Sequence, residues 1–171
     1  VLQNAEILAG ITLAQIVNEG TPVIYGTFAS PIDMARGKQA LGVPEISILN
    51  VASSDLCRRY KIPLGYGTGG VSDSYYPDVQ AGIEKATTAL FAVLGGVEVV
   101  HHGASGILGA GRAASYEQMF LDNELCSMIK RYLGEVKVNT ETMALDQIRE
   151  AGPGGNFLKM SHTVRNTRSE L

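Results

Sequence analysis

Tryptophan is absent from the 171 residues, and cysteine and histidine are scarce, at two and three. So few cysteines exclude a disulfide framework. Cys57 and Cys126 stand far apart, and His162 is remote from the adjacent His101 and His102, so no zinc-ligand spacing exists and no metal is expected. Both cysteines fall on apolar faces of predicted helices and read as buried free thiols, which suits a reducing cytosol. Charge is also sparse. Only 18% of residues are charged, and the net charge of −3 gives no electrostatic reason to bind nucleic acid or an anionic membrane. No apolar run reaches the roughly 20 residues of a membrane-spanning helix. The longest, residues 86–100, is interrupted by Gly95, Gly96 and Glu98. No secretory signal is visible, so a cytoplasmic location is expected. An initiator Met is missing, and the sequence stops within a polar helical pattern. Both ends read as cuts in a longer chain.

What is present is a globular balance, with 45% hydrophobic residues. Residues 3–18 read as a helix, with Ile7, Leu8, Ile11 and Ala14 at helical spacing and Gly20 after the end. Residues 22–25 form a short apolar run that reads as a buried strand. A long loop, 26–43, follows, and loops of that length are usually functional. Residues 44–60 read as a helix opened by Pro44 and closed by Arg58 and Arg59. Residues 62–65 read as a second strand, and 67–76 as a second loop. A helix is expected over 77–94, a strand over 97–101, and a glycine-rich loop over 102–114. Ser115 can cap a helix running to Tyr132, with Gly134 as its stop. Residues 140–150 form one more helix, broken by Gly152, and the chain turns helical again from Ser161. Strand, loop and helix thus alternate, the mark of parallel strands covered by helices. Three strands cannot close a barrel, so the fold requires more chain. No domain boundary is evident.

Ligands of parallel α/β folds bind at the carboxyl ends of the strands. After the first strand come Tyr25 and Gly26. After the second come Tyr66, Thr68, Gly69, Gly70, Asp73, Tyr75 and Tyr76. After the third come His101, His102 and Gly103. Converging tyrosines can cage a methylated ammonium through cation–π attraction; alternatively they pack beneath loops. Adjacent strand residues point to opposite faces, so at most one of His101 and His102 is expected to face the site. The glycines around Gly69 and Gly103 lack the P-loop lysine and any nucleotide fingerprint. They allow either close approach to a large cofactor or simple loop flexibility. Asp73 and Glu117 are candidate polar groups, although Glu117 also suits a first helical turn.

Several segments resemble the trimethylamine methyltransferase family. These are Asn4-Ala-Glu-Ile-Leu-Ala-Gly, Pro22-Val-Ile-Tyr-Gly, Ser72-Asp-Ser, Pro77-Asp-Val-Gln-Ala-Gly-Ile-Glu-Lys, Ala114-Ser-Tyr-Glu-Gln and Gly152-Pro-Gly-Gly-Asn-Phe-Leu. They occur in family order over nearly the whole chain. The resemblance implies an α/β fold, a partial TIM (β/α)8 barrel holding the later strands and helices, with residues 1–171 as one segment of it. It implies methyl transfer from trimethylamine to the Co(I) corrinoid (cobalamin) cofactor of a partner corrinoid protein. The remainder of the barrel, and a homo-oligomer, are further expected partners. The alternatives are a non-pyrrolysine member that demethylates a quaternary amine such as glycine betaine, and a non-catalytic amine-binding module.

Trimethylamine-specific members carry pyrrolysine, whose imine ring is proposed to hold the amine. The resemblance places it near Tyr75 and Tyr76, where many relatives without it have Lys. This sequence has no lysine between Lys61 and Lys85. Three explanations compete: a tyrosine cage, a pyrrolysine written as a standard residue, or pyrrolysine elsewhere. The second, at Tyr75, is preferred. On this reading Tyr75, Tyr76, Asp73 and Glu117 are the catalytic candidates. Tyr25, Tyr66, His101 and His102 bind substrate. Thr68, Gly69, Gly70 and Gly103 approach the cofactor.

Overall fold

The computed structural model describes residues 1–63 and 65–169, without the side chains of Arg168 and Ser169. The chain is mixed α/β. It divides into two compact units, residues 1–132 and 133–171.

In the first unit, helix α1 (Leu2–Val17) leads to strand β1 (Tyr25–Gly26). A hairpin of β2 (Ile32–Asp33) and β3 (Lys38–Gln39) follows within the long loop. Then come α2 (Pro44–Arg59), β4 (Gly65–Thr68), α3 (Val79–Leu94) and β5 (Val99–His101). Strands β1, β4 and β5 form a parallel sheet in that order, with Tyr25 opposite Gly65 and Thr68 opposite His101. A second hairpin, β6 (Ile107–Leu108) with β7 (Ala113–Ala114), fills the loop before α4 (Tyr116–Leu133). Thus the expected strand–helix alternation is present, and each long loop contains a hairpin.

The strands lie later than the apolar runs suggest. The expected strand at 22–25 is paired only at Tyr25–Gly26, and the one at 62–65 becomes Gly65–Thr68. The reason is the close approach of the helices. A Cβ at Gly67 would lie 3.0 Å from Asn50 Oδ1 of α2, and one at Gly69 would lie 3.1 Å from the Ala89 Cα of α3. Alternate positions on this edge must therefore be small, and glycine carries no hydrophobic signal. The Asn50 side chain bonds both the amide and the carbonyl of Thr68, so α2 grips β4 by its backbone.

Helix α3 begins at Val79, two residues later than expected, because Asp78 acts as its N-cap. The Asp78 carboxylate accepts from the Ala81 amide at 2.8 Å, which holds its pKa below the usual carboxylate range. At the other end, the Arg58 guanidinium donates to the Gly95 and Gly96 carbonyls and ties the ends of α2 and α3 together. Cys57 is buried beneath β4, whereas Cys126 is half-buried, and both are free.

The second unit holds the short helices α5 (Thr140–Met143) and α6 (Leu145–Ala151) and then α7 (Ser161–Ser169). The expected single helix over 140–150 is split at Ala144, whose left-handed backbone (φ 50°) interrupts it. Arg165 pairs with Glu141 at 2.8 Å, and the His162 ring bonds the Glu141 carbonyl at 2.9 Å, joining α7 to α5. No helix among the described residues is long and apolar enough to cross a membrane.

Candidate functional site

The carboxyl ends of β1, β4 and β5 open into three loops, and the loops are bound to one another. Asp73 accepts from the amides of Leu41 and Gly42 at 3.1–3.2 Å, joining the second loop to the first. The Gly109 and Ala110 amides donate to the carbonyls of Ser74 (2.7 Å) and Ser72 (2.8 Å), joining the third loop to the second. Leu41, Ile46 and Val71 form a buried cluster beneath them, with Val43 and Ala110 against it. Glu84 of α3 accepts from Ser72 Oγ and the Asp73 amide, both at 2.8 Å. The loop that carries Tyr75 and Tyr76 is therefore held from three sides.

A buried ion pair underlies the same loops. The Lys85 ammonium donates to Asp122 Oδ2 at 2.8 Å and to the Gly70 carbonyl at 2.9 Å, and both side chains are fully buried. Asp122 also accepts from the Gly106 amide at 2.9 Å and from Gln118 Nε2 at 2.8 Å. One pair thus connects α3 and α4 to the loops after β4 and β5. Sequence reasoning did not single out Lys85, Asp122 or Glu84. A signal existed: Lys85 lies between Ala81 and Ala89 on the buried face of α3, where an unpaired ammonium is too costly to bury.

Tyr75 rests against the hairpin. A Cβ at Gly109 would lie 2.7 Å from the Tyr75 ring carbons, so only glycine permits this seat, and Gly109 also has φ 58°. The ring is 47% exposed, while Tyr76 beside it is 73% exposed. Lys38 of β3 places its Nζ 5.6 Å from the centre of the Tyr75 ring, a cation–π distance.

Beside these loops, Tyr66 and His101 share the sheet face opposite α2 and α3, with ring centres 5.1 Å apart. His102 joins them. The expectation that the two histidines point to opposite faces is corrected, because their rings lie 3.5 Å apart. Strand β5 ends at His101, and His102 adopts a left-handed backbone (φ 69°), which breaks the alternation and folds its ring back. Burial, then His101, then Lys85 lower the His102 pKa, so this imidazole is neutral near pH 7. Burial raises the Tyr66 pKa, so its phenol keeps its proton. Among the described residues, two buried side-chain polar atoms lack a partner, Ser30 Oγ and His101 Nδ1. Both belong to the strand-end region.

Other expected residues are placed differently. Tyr25 turns toward the helices, where its hydroxyl donates to Asn4 at 2.7 Å and its ring packs on Tyr60. Glu117 is exposed at the start of α4 and accepts from Ser115 at 2.6 Å, which lowers its pKa. The expected cofactor contacts, Thr68, Gly69, Gly70 and Gly103, lie at the carboxyl ends of β4 and β5. Thr68 gives both backbone groups to Asn50, the Gly69 amide donates to the His101 carbonyl, and the Gly70 amide donates to Thr88. A Cβ at Gly103 would meet Cys126 Sγ at 3.5 Å. The backbone groups of Thr68, Gly69 and Gly70 are thus engaged within the protein. A groove of about 850 Å³ lies between α2 and α3, lined mainly by apolar residues such as Ile48, Ile83 and Phe91. It meets the first loop at Gly42.

A glycine betaine methyltransferase of Desulfitobacterium hafniense (strain Y51) is 44% identical over 99% of the chain, which covers 35% of that protein. A trimethylamine methyltransferase of D. hafniense (strain DSM 10664 / DCB-2) is 35% identical over 99% of the chain and 34% of its own length. One from Methanosarcina acetivorans is 39% identical over 95% of the chain and 32% of its length. The chain thus spans about a third of the curated relatives it matches. The profile of the trimethylamine methyltransferase (MTTB) family matches residues 1–171, and the chain belongs to that family.

Proposed function

We propose that the protein containing this chain transfers a methyl group from a quaternary methylated amine of the glycine betaine type to the Co(I) centre of a corrinoid carried by a partner protein. The observation that carries this reading is the Tyr75 ring, half-exposed on a loop stitched to its neighbours at the carboxyl edge of a parallel sheet. Such a face attracts a methylated ammonium. The three-stranded sheet, with both β1 and β5 open to further pairing, supports a segment of a (β/α)8 barrel.

The corrinoid enters as the methyl acceptor, a second substrate. Its cobalt lone pair forms the new bond to the methyl carbon, and the C–N bond pair departs with nitrogen. A quaternary ammonium then leaves as a neutral tertiary amine, and no proton is required. The chain's own contribution is placement. Tyr75 and Tyr76 contact the ammonium, and Tyr66, His101 and His102 form a polar wall beside them. Asp73 fixes the first loop against the second. Holding the C–N bond in line with the acceptor is the main source of rate, since positioned reactants gain about 7–11 kcal/mol in the best cases.

The 35% and 39% identity to proteins named for trimethylamine favours a second reading with that substrate. Neutral trimethylamine would leave as an amide anion, so it needs an activated, positively charged nitrogen, and pyrrolysine at position 75 would supply one. The test is methylation of a Co(I) corrinoid protein by the full-length enzyme, supplied with each amine in turn. Methylation from glycine betaine with release of dimethylglycine is expected. Methylation from trimethylamine alone would establish the second reading, and binding without methylation would leave only an amine-binding module.

A further inference from the structure

We infer that Lys38 sets the specificity of this site for zwitterionic methylated amines, receiving the substrate carboxylate while Tyr75 receives the ammonium. This rests on the quaternary-amine reading above and adds a carboxylate requirement to it. Lys38 lies on β3, in the hairpin that rises from the loop after β1, and its Nζ stands 5.6 Å from the centre of the Tyr75 ring. It is half-buried, and no carboxylate among the described residues forms an ion pair with it. The one acid of the hairpin is Asp33, directly opposite Lys38 in register. That carboxylate is committed elsewhere. It binds the Arg36 guanidinium at 2.8 Å and accepts from the amides of Ala35 and Arg36. The other nearby acid, Asp73, is occupied by the Leu41 and Gly42 amides.

The hairpin therefore presents a cation with no ion-pair partner among the described residues, over the ring expected to hold the substrate. A lone ammonium ligand would meet like-charge repulsion there. A betaine carries its carboxylate one methylene from its ammonium. The same molecule can place its trimethylammonium on Tyr75 and its carboxylate against Lys38. The carboxylate turns the repulsion into a charge-assisted hydrogen bond. Choline matches the ammonium but has a hydroxyl in place of the carboxylate, so it isolates the Lys38 contribution.

The experiment is isothermal titration of the full-length enzyme with glycine betaine and with choline. The wild type should prefer glycine betaine by about tenfold or more. Lys38→Met keeps the aliphatic stem and removes the charge. It should weaken glycine betaine about tenfold, tighten choline, and erase the preference. Lys38→Arg should retain it, which separates charge from folding effects. If the wild type binds glycine betaine and Lys38→Met keeps the same betaine-to-choline ratio, the role of Lys38 is overturned while the quaternary-amine reading stands. If the wild type binds neither compound, that reading falls and the Lys38 assignment falls with it.

Discussion

Asp122 accepts hydrogen bonds from Lys85, Gly106 and Gln118, and so links two helices and two loops through one carboxylate. Removing it leaves the Lys85 ammonium buried and unpaired. Asp122→Ala should destabilise the full-length protein by about 3–5 kcal/mol, read from its urea-unfolding midpoint. The double variant Lys85→Met with Asp122→Ala should recover most of that loss, and a double variant as unstable as the single one would show that the charge is not the cause. His102 gives a second test. Its pKa in the folded chain lies below the ordinary histidine value of about 6.5. Its contribution is therefore fully present above about pH 6.5 and is lost as pH falls through the folded value. His102→Asn, which also tolerates the left-handed backbone, should flatten the fall in melting temperature below pH 6.5. An unchanged pH profile would remove His102 from the account. At this scale the sequence marked the strand-end tyrosines and histidines but not how their rings meet. Alternation along β5 correctly separates neighbours within a strand, but it cannot foresee that the strand ends at His101.

The helices were legible because their apolar spacing and caps are local properties. Pro44 opens α2 as expected, and Ser115 Oγ accepts from the Gln118 amide at 3.2 Å to cap α4 while donating to Glu117. The strands were less legible. Their ladder residues, Gly65–Thr68, are selected by the approach of α2 and α3, which is a tertiary demand. The hairpins inside the two long loops were invisible for a related reason: each strand has two residues, too short for any period. The β6–β7 element matters because Gly109 next to it seats Tyr75. Gly109→Ala would push the ring from its place. It should lower methyl transfer by about a hundredfold and cost roughly 1–2 kcal/mol of backbone strain. Rate assays beside unfolding curves check this, and a loss of stability without loss of rate would detach the hairpin from the site.

Across the whole molecule, apolar surface is widely exposed. Helix α1 has no buried residue, and Leu2, Leu13, Ile16 and Val17 all face outward. Helix α4 exposes Phe120, Leu121 and Tyr132. Patches of this kind are normally covered. Residues 1–171 produced alone should self-associate in sedimentation velocity, whereas the full-length protein should sediment as a discrete species. A monodisperse isolated chain would contradict the barrel-segment reading. Alternation of strand and helix disclosed the parallel architecture from the sequence, while the substrate depends on one loop and the chemistry gathered around it. The central claim, that Tyr75 receives the methylated ammonium at the carboxyl edge, is tested most directly by the initial rate of Co(I) corrinoid methylation by full-length Tyr75→Ala with glycine betaine. The account predicts loss of methyl transfer with an unchanged circular-dichroism spectrum, and a rate equal to that of the wild type would contradict it.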